Sequence, residues 1–228
     1  MPRDKIDADT GKFYEESNIQ HKFADESMQP KSIRDFFKIE SKFLEDNIPK
    51  KSFVLDAGCG WGRHLSLISD KISRGIGIDL DKKRISESKQ FLKDKKNIET
   101  LHADIYDIPF PEGYFDIVIC MNNTFGNLNK HRLALKEMIR VLKTKGKLIL
   151  SVHSGNIAKD KLDWYKKIGL KNPRFNGEFI LTDEGFYSYC FKENYLSNLF
   201  HQFKNISFTI ENLTPYSYLC TIQKNQSN

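Results

Sequence analysis

The segment VLDAGCGWGRHLSLIS, Val54 to Ser69, constrains this 228-residue chain more than any other stretch. Gly58, Gly60 and Gly62 alternate with single residues between a short apolar run and an apolar-periodic stretch. Glycine reaches backbone angles that other residues avoid and lets a loop approach a ligand closely. A strand turning through such a loop into a helix is the opening unit of a parallel α/β sheet that binds a cofactor at the carboxyl ends of its strands. Spacing then discriminates among cofactors. A dinucleotide fingerprint, G-x-G-x-x-G, would place its third glycine at position 63, which is Arg63, and no Gly-Lys-Ser/Thr closes the run as a P-loop requires. Both phosphate-cradling readings lose ground.

Hydrophobic periodicity extends this unit along the chain. A helix is expected over Ile33 to Asn47, with apolar positions at Ile33, Phe36, Phe37, Ile39, Phe43 and Leu44, ended by Pro49. Strands are expected at Phe53 to Asp56, in RGIGIDL ending near Asp79, at Thr100 to Ala103, at Phe115 to Met121 and at Lys147 to His153. Helices beginning at Gly62, Lys82 and Lys130 separate them, the second reaching Lys95. After Ser154 come a short helix over Lys161 to Ile168, two aromatic-rich strands in NGEFILTDEGFYSYCF, a helix over Lys192 to Phe203, and an antiparallel pair in ISFTIEN and YSYLCTIQK. The fold class is α/β, doubly wound, with a mostly parallel seven-stranded sheet, helices on both faces and an antiparallel C-terminal edge pair. A single domain is expected over 1–228: an N-terminal helical lid region (1–48), a core (50–155), an insertion or flap (156–191), and a C-terminal helix with edge strands (192–228).

Composition narrows the class of partner. The net charge of +6 comes from 36 basic and 30 acidic residues. The runs around Lys50, Lys82 and Lys95 are interrupted by acids or sit where loops and helix surfaces are expected, so a solvated surface is favoured over a nucleic-acid stripe. Cys59, Cys120, Cys190 and Cys220 are far apart and form no CxxC pair, which speaks against a zinc knuckle or redox dithiol and for a reduced, cytoplasmic protein. Neither an apolar run long enough to span a membrane nor a secretory leader is read in the sequence. The six histidines are too scattered to indicate a metal site.

Four segments carry a resemblance: VLDAGCGWGRH, GIDLD, ADIYDIPFPEGYFDIVICMNNTFGNL and EMIRVLKTKGKLILSV. Together they resemble the class I S-adenosylmethionine-dependent methyltransferases, in particular the small-molecule branch. The likeness is strong over residues 50 to 155 and architectural outside them. It implies S-adenosyl-L-methionine as cofactor, wrapped at its aminoacyl end by Gly58, Cys59, Gly60 and Gly62. Asp56 would accept from the cofactor ammonium or orient the loop, with helix capping as the plain alternative. Arg63 or backbone N–H groups would meet the cofactor carboxylate, unless Arg63 belongs to a surface ion pair. Asp79, with Leu80 beside it, would accept the ribose hydroxyls. Asp104 would accept from the adenine amino group, with Ile105 framing the base, and Asn122 would touch the methionine portion.

The acceptor side is read less sharply. Asn123, Thr124 and Phe125 follow the fourth strand, where enzymes that methylate adenine or glutamine nitrogen resemble Asn/Asp-Pro-Pro-Tyr/Phe; this chain departs from that pattern and lacks the Pro-Cys pair of cytosine C5 methylation. Cys120 therefore reads as a core thiol. His153, at the end of the fifth strand, is a candidate base or acceptor-binding group against a hydrogen-bonded structural role. Tyr14 is the preferred lid residue against simple helix packing, and Trp164 and Tyr165 line the acceptor side or the core. His153, Asn123 and Tyr14 thus form the catalytic expectation. The function expected is methyl transfer to nitrogen, oxygen or sulfur of a small molecule, mainly by positioning for in-line displacement. Transfer to an RNA (tRNA) base or a protein side chain is the alternative, and a cofactor-binding partner subunit the non-enzymatic one. A monomer or weak homodimer is expected, with no membrane association.

Overall fold

A computed structural model describes residues 13–14 and 19–226, and every structural statement concerns these. The elements in chain order are α1 (Gln20–Ala24), α2 (Lys31–Asn47), β1 (Phe53–Ala57), α3 (Arg63–Ile68), β2 (Arg74–Asp79), α4 (Lys82–Phe91), β3 (Ile98–His102), β4 (Phe115–Cys120), α5 (His131–Arg140), β5 (Leu142–His153), α6 (Ala158–Lys167), β6 (Arg174–Phe175), β7 (Phe179–Leu181), β8 (Tyr187–Tyr189), α7 (Glu193–Phe200), β9 (Ile206–Thr214) and β10 (Ser217–Lys224). Short 3₁₀ turns at Thr124–Asn127 and Gly155–Ile157 follow β4 and β5.

Seven strands form one sheet in the order β3-β2-β1-β4-β5-β10-β9. β1 pairs in parallel with both β2 and β4, so chain direction along the sheet reverses at β1 and the loops leaving β1 and β4 diverge. That divergence opens a crevice at the carboxyl ends of the strands, where open α/β sheets bind ligands. β10 alone runs against the rest: it is antiparallel to β5 and to β9, which therefore lies parallel to β5 at the edge.

Burial explains these choices. Val118, Ile119 and Cys120 of β4 are fully buried, as a strand covered on both faces requires. One face packs beneath α5 and α7 through Leu135, Met138, Leu196 and Phe200, and the other beneath α2 and α3 through Leu44, Leu65 and Ile68. α4 stops at Phe91, short of the expected Lys95, because Leu92 turns inward beneath the glycine loop and the following Lys-Asp-Lys-Lys has no apolar face to continue. β5 starts five residues earlier than expected, because Leu142 pairs with Phe115 across a bulge.

The insertion builds a third packed body. β6, β7 and β8 form an antiparallel sheet, the first of these strands being absent from the sequence reading. Alternate residues of β8 and its flanks serve different clusters: Tyr187 and Tyr189 enter the main core, whereas Phe186 and Cys190 join Phe13, Ile33, Trp164 and Tyr165. All of β8 is buried, so the segment is a wall with two packed faces and not a free-standing flap.

Candidate functional site

A cavity of about 940 Å³ opens at the carboxyl ends of the central strands. Tyr14, Gly58, Cys59, Gly60, Arg63, Asp79, Leu80, Asp104, Ile105, Asn122, Asn123 and His153 line it; Asp56 and Gly62 do not. The loop after β1 is tied to the end of β2: Gly58 and Cys59 donate their N–H groups to the Ile78 carbonyl at 2.8 and 2.9 Å. Gly60 donates to Asp79 Oδ2 at 2.8 Å, and Asp81 N–H donates to Oδ1 at 3.0 Å. Asp79 is thus held by two backbone donors with its carboxylate facing the cavity, and burial raises its pKa while those donors pull it back.

The three glycines serve different needs. Gly60 has φ +54°, and a Cβ there would meet nothing within 4 Å, so its bare backbone faces open cavity. At Gly58 a Cβ would stand 2.3 Å from Thr124 Cγ2, so this glycine admits the turn that follows β4. Gly62, with φ +90°, faces Leu92 at 2.5 Å; its smallness is a packing requirement.

Behind the loop lies a charged cluster that sequence reasoning missed. Glu40, on the buried face of α2, is fully buried, and its Oε2 accepts from Arg63 Nη2 at 3.0 Å and contacts His64 Nε2 at 2.9 Å. Its Oε1 accepts from the Asn122 backbone at 2.7 Å and from the Ser151 hydroxyl. Burial pushes the Glu40 carboxyl up, but His64, Arg63 and Ser151 together outweigh it and hold it at about 2. One carboxylate therefore ties α2, α3, β5 and the turn after β4 together. Arg63, expected at the cofactor, is engaged by Glu40 and Ser41 and lies over the Phe37 ring at 4.9 Å. Asp56 sits deeper still, 1% exposed, with neither oxygen hydrogen-bonded and His64 Nδ1 3.8 Å away. Burial lifts its pKa to about 6.

Beyond β4 the chain turns through Asn122 and Asn123, both left-handed at φ +55° and +56°. Asn123 is committed to structure: Oδ1 accepts from His153 N at 2.8 Å and Nδ2 donates to Ser188 Oγ at 3.2 Å. His153 is 3% exposed, with Nδ1 3.2 Å from Lys161 Nζ and Nε2 unpartnered. Burial, reinforced by Lys161, holds its pKa well below the usual histidine range, which makes it a poor proton acceptor. Lys161, missed in the sequence, is 1% exposed, donates to Ser188 Oγ at 2.6 Å and lines the cavity with Trp164, Tyr165 and Phe186. Tyr14 packs edge-on against Phe186 at 6.0 Å, and its hydroxyl accepts from Asn127 Nδ2 at 3.3 Å. Asp104 Oδ1 accepts from Tyr106 N at 2.8 Å, which orders the turn after β3 and leaves the acid at the cavity wall.

Comparison with known proteins agrees with this arrangement. Residues 55–150 match a family described as a methyltransferase domain. Demethylmenaquinone methyltransferase of Bacillus licheniformis is 32% identical over 108 residues, covering 45% of this chain and 45% of that protein. The uncharacterized protein MJ0638 of Methanocaldococcus jannaschii is 32% identical over 145 residues, 60% of each chain. Among solved structures, the PH0226 protein of Pyrococcus horikoshii superposes with a TM-score of 0.66 at 22% identity, covering 87% of this chain and 93% of that one. Over residues 55–150 the chain is thus similar to a methyltransferase domain, and it spans about half the length of such curated relatives.

The residues present fit S-adenosyl-L-methionine. Gly60 leaves its backbone bare to the cavity, Asp79 offers an acceptor pre-set by two N–H donors, and Asp56 carries two orphaned oxygens close behind the loop. These are the features that a zwitterionic, diol-bearing ligand uses. No helix among the described residues is long and apolar enough to cross a membrane.

Proposed function

We propose that this protein transfers the methyl group of S-adenosylmethionine to a nitrogen, oxygen or sulfur atom of a small molecule. The observation that carries the reading is one continuous cavity bounded at one end by the glycine loop and Asp79 and at the other by a buried aromatic and polar wall, Trp164, Tyr165, Phe186, His153 and Lys161. Asp79 holds the ribose hydroxyls, Asp104 and Ile105 receive the base, and the N–H groups of the loop receive the aminoacyl end. When bound, the cofactor supplies a sulfonium methyl that is already electrophilic.

The chain's own residues then have to place the acceptor in line and keep water out, and such positioning can account for roughly 7–11 kcal/mol of a barrier. Glu40 fixes the turn carrying Asn122 relative to the start of α3 at Arg63, so both halves of the site share one anchor. Asn123 positions His153 and Ser188. Phe23 stacks edge-on against Trp164 and Tyr14 edge-on against Phe186, closing the aromatic end from the N-terminal side. A cavity of this size, closed by aromatic rings, suits a small acceptor. A relative named for a small acceptor, demethylmenaquinone, is consistent with it. The test supplies radiolabelled methyl cofactor to the protein with separated small-molecule, tRNA and protein fractions of a cell extract. Label in the small-molecule fraction, lost in Asp79→Ala, is expected; label appearing only in RNA or protein would overturn the small-molecule assignment.

A further inference from the structure

The inner end of the cavity has an unusual balance of groups. Lys161 is buried at 1% exposure, yet among the described residues no carboxylate pairs with it; its partners are Ser188 Oγ at 2.6 Å, His153 Nδ1 at 3.2 Å and the face of Tyr165, 5.5 Å from Nζ. Two other residues that line the cavity carry unpartnered donors. His153 accepts from Lys161 at Nδ1, so its own proton sits on Nε2, and that N–H has no partner. Trp164, on the next turn of α6, has its indole N–H buried and unpartnered. All three residues line the cavity.

A buried ammonium without a counter-ion is costly to maintain. Burial draws Lys161 down to about 8, with the Cys190 thiol the only opposing influence, so the amine still carries its proton at neutral pH. Donors collected around an unpaired cation, walled by Tyr165 and Phe186, describe a receptor for a negatively charged oxygen on a flat ring. Resting on the reading of this cavity as the methyl-acceptor site, we propose that the acceptor is a small aromatic acid whose carboxylate or phenolate oxygen is held by Lys161, with His153 and Trp164 as accessory donors. Lys161 is then a specificity-determining residue for the reaction. Ser188 and Asn123 hold it in place from β8 and the turn after β4.

The test is calorimetric titration of the protein, saturated with S-adenosylhomocysteine, with benzoate, 4-nitrophenolate and neutral benzamide, using wild type and Lys161→Met. Wild type is expected to bind at least one anion at least tenfold more tightly than benzamide, and Lys161→Met to lose that preference. Benzoate alone binding assigns a carboxylic acid, nitrophenolate alone a phenol, and both a general oxyanion site. The unliganded Lys161→Met protein should melt at the same or a higher temperature than wild type, because an uncompensated buried charge is gone; a merely structural lysine predicts a lower one. Wild-type affinity for benzoate should also fall as pH rises from 7 to 9.5 and Lys161 loses its proton, a readout that needs no variant. Equal binding of anion and amide, no anion binding at all, or full retention in a folded Lys161→Met would each overturn the proposal. Failure of S-adenosylhomocysteine to bind would instead overturn the cofactor reading, while anion selectivity would still support the oxyanion site.

Discussion

Two buried acids within one cluster have opposite consequences for stability. Asp56 has a folded pKa raised to about 6 from 3.8, so the unfolded chain releases this proton first and stability falls as pH rises between those values. Asp56→Asn removes that penalty, on the order of 3 kcal/mol at neutral pH. The variant should melt higher than wild type at pH 7 and alike at pH 3.5, while binding cofactor more weakly; differential scanning calorimetry across pH 3.5–7 with a cofactor titration checks both. Glu40 behaves conversely. Its depressed pKa of about 2 contributes stability that is complete above the unfolded value of 4.5 and is lost as pH falls towards 2. Glu40→Ala leaves Arg63 and His64 unpaired and should lower stability by about 3 kcal/mol in chemical denaturation, the scale for breaking a buried pair. Both missed residues, Glu40 and Lys161, left a signal in the sequence. Each sits where the helical period demands an apolar residue: Glu40 between Phe36 and Leu44 on α2, Lys161 between Ala158 and Tyr165 on α6. A charge inside an apolar stripe marks a buried group that needs partners, but which partners depends on elements more than a hundred residues away, as with Ser151 for Glu40.

At the scale of elements, the loop after β1 separates packing from ligand approach. Gly62→Ala forces a side chain into φ +90° and against Leu92, so it should cost about 2 kcal/mol of stability through the strained backbone and the contact. Gly60→Ala has open space and φ +54°, where strain is about 1 kcal/mol, and its methyl projects into the cavity. It should therefore weaken S-adenosylhomocysteine binding far more than folding, a contrast read by melting and titration of the two variants side by side. The parallel strands were legible because short apolar runs such as Ile117 to Cys120, flanked by turn residues, suit a strand covered on both faces. Helix ends were less so: α4 stops early because Leu92 turns in to pack beneath Gly62, a tertiary contact. β6 is two residues long and exists only through pairing with β7, so no periodicity announced it.

Over the whole molecule, sheet order follows from strand–helix alternation, and with it the crevice at the carboxyl ends of β1 and β4. The residues expected at the cofactor lie mostly in one contiguous stretch, so glycine spacing and family resemblance together could propose them from the sequence. The other half of the cavity is assembled from α1, α2, α6 and β8, segments separated by more than a hundred residues, and only the fold brings Phe23, Lys161 and Ser188 to one wall. The claim on which the functional account rests is that Asp79 and the glycine loop hold S-adenosylmethionine. Calorimetric titration of wild type and Asp79→Ala with S-adenosylmethionine and S-adenosylhomocysteine tests it most directly. Saturable binding of both ligands at one site per chain, weakened at least tenfold by Asp79→Ala, is the result predicted; no binding of either ligand by folded wild-type protein, or binding that Asp79→Ala leaves unchanged, would contradict it.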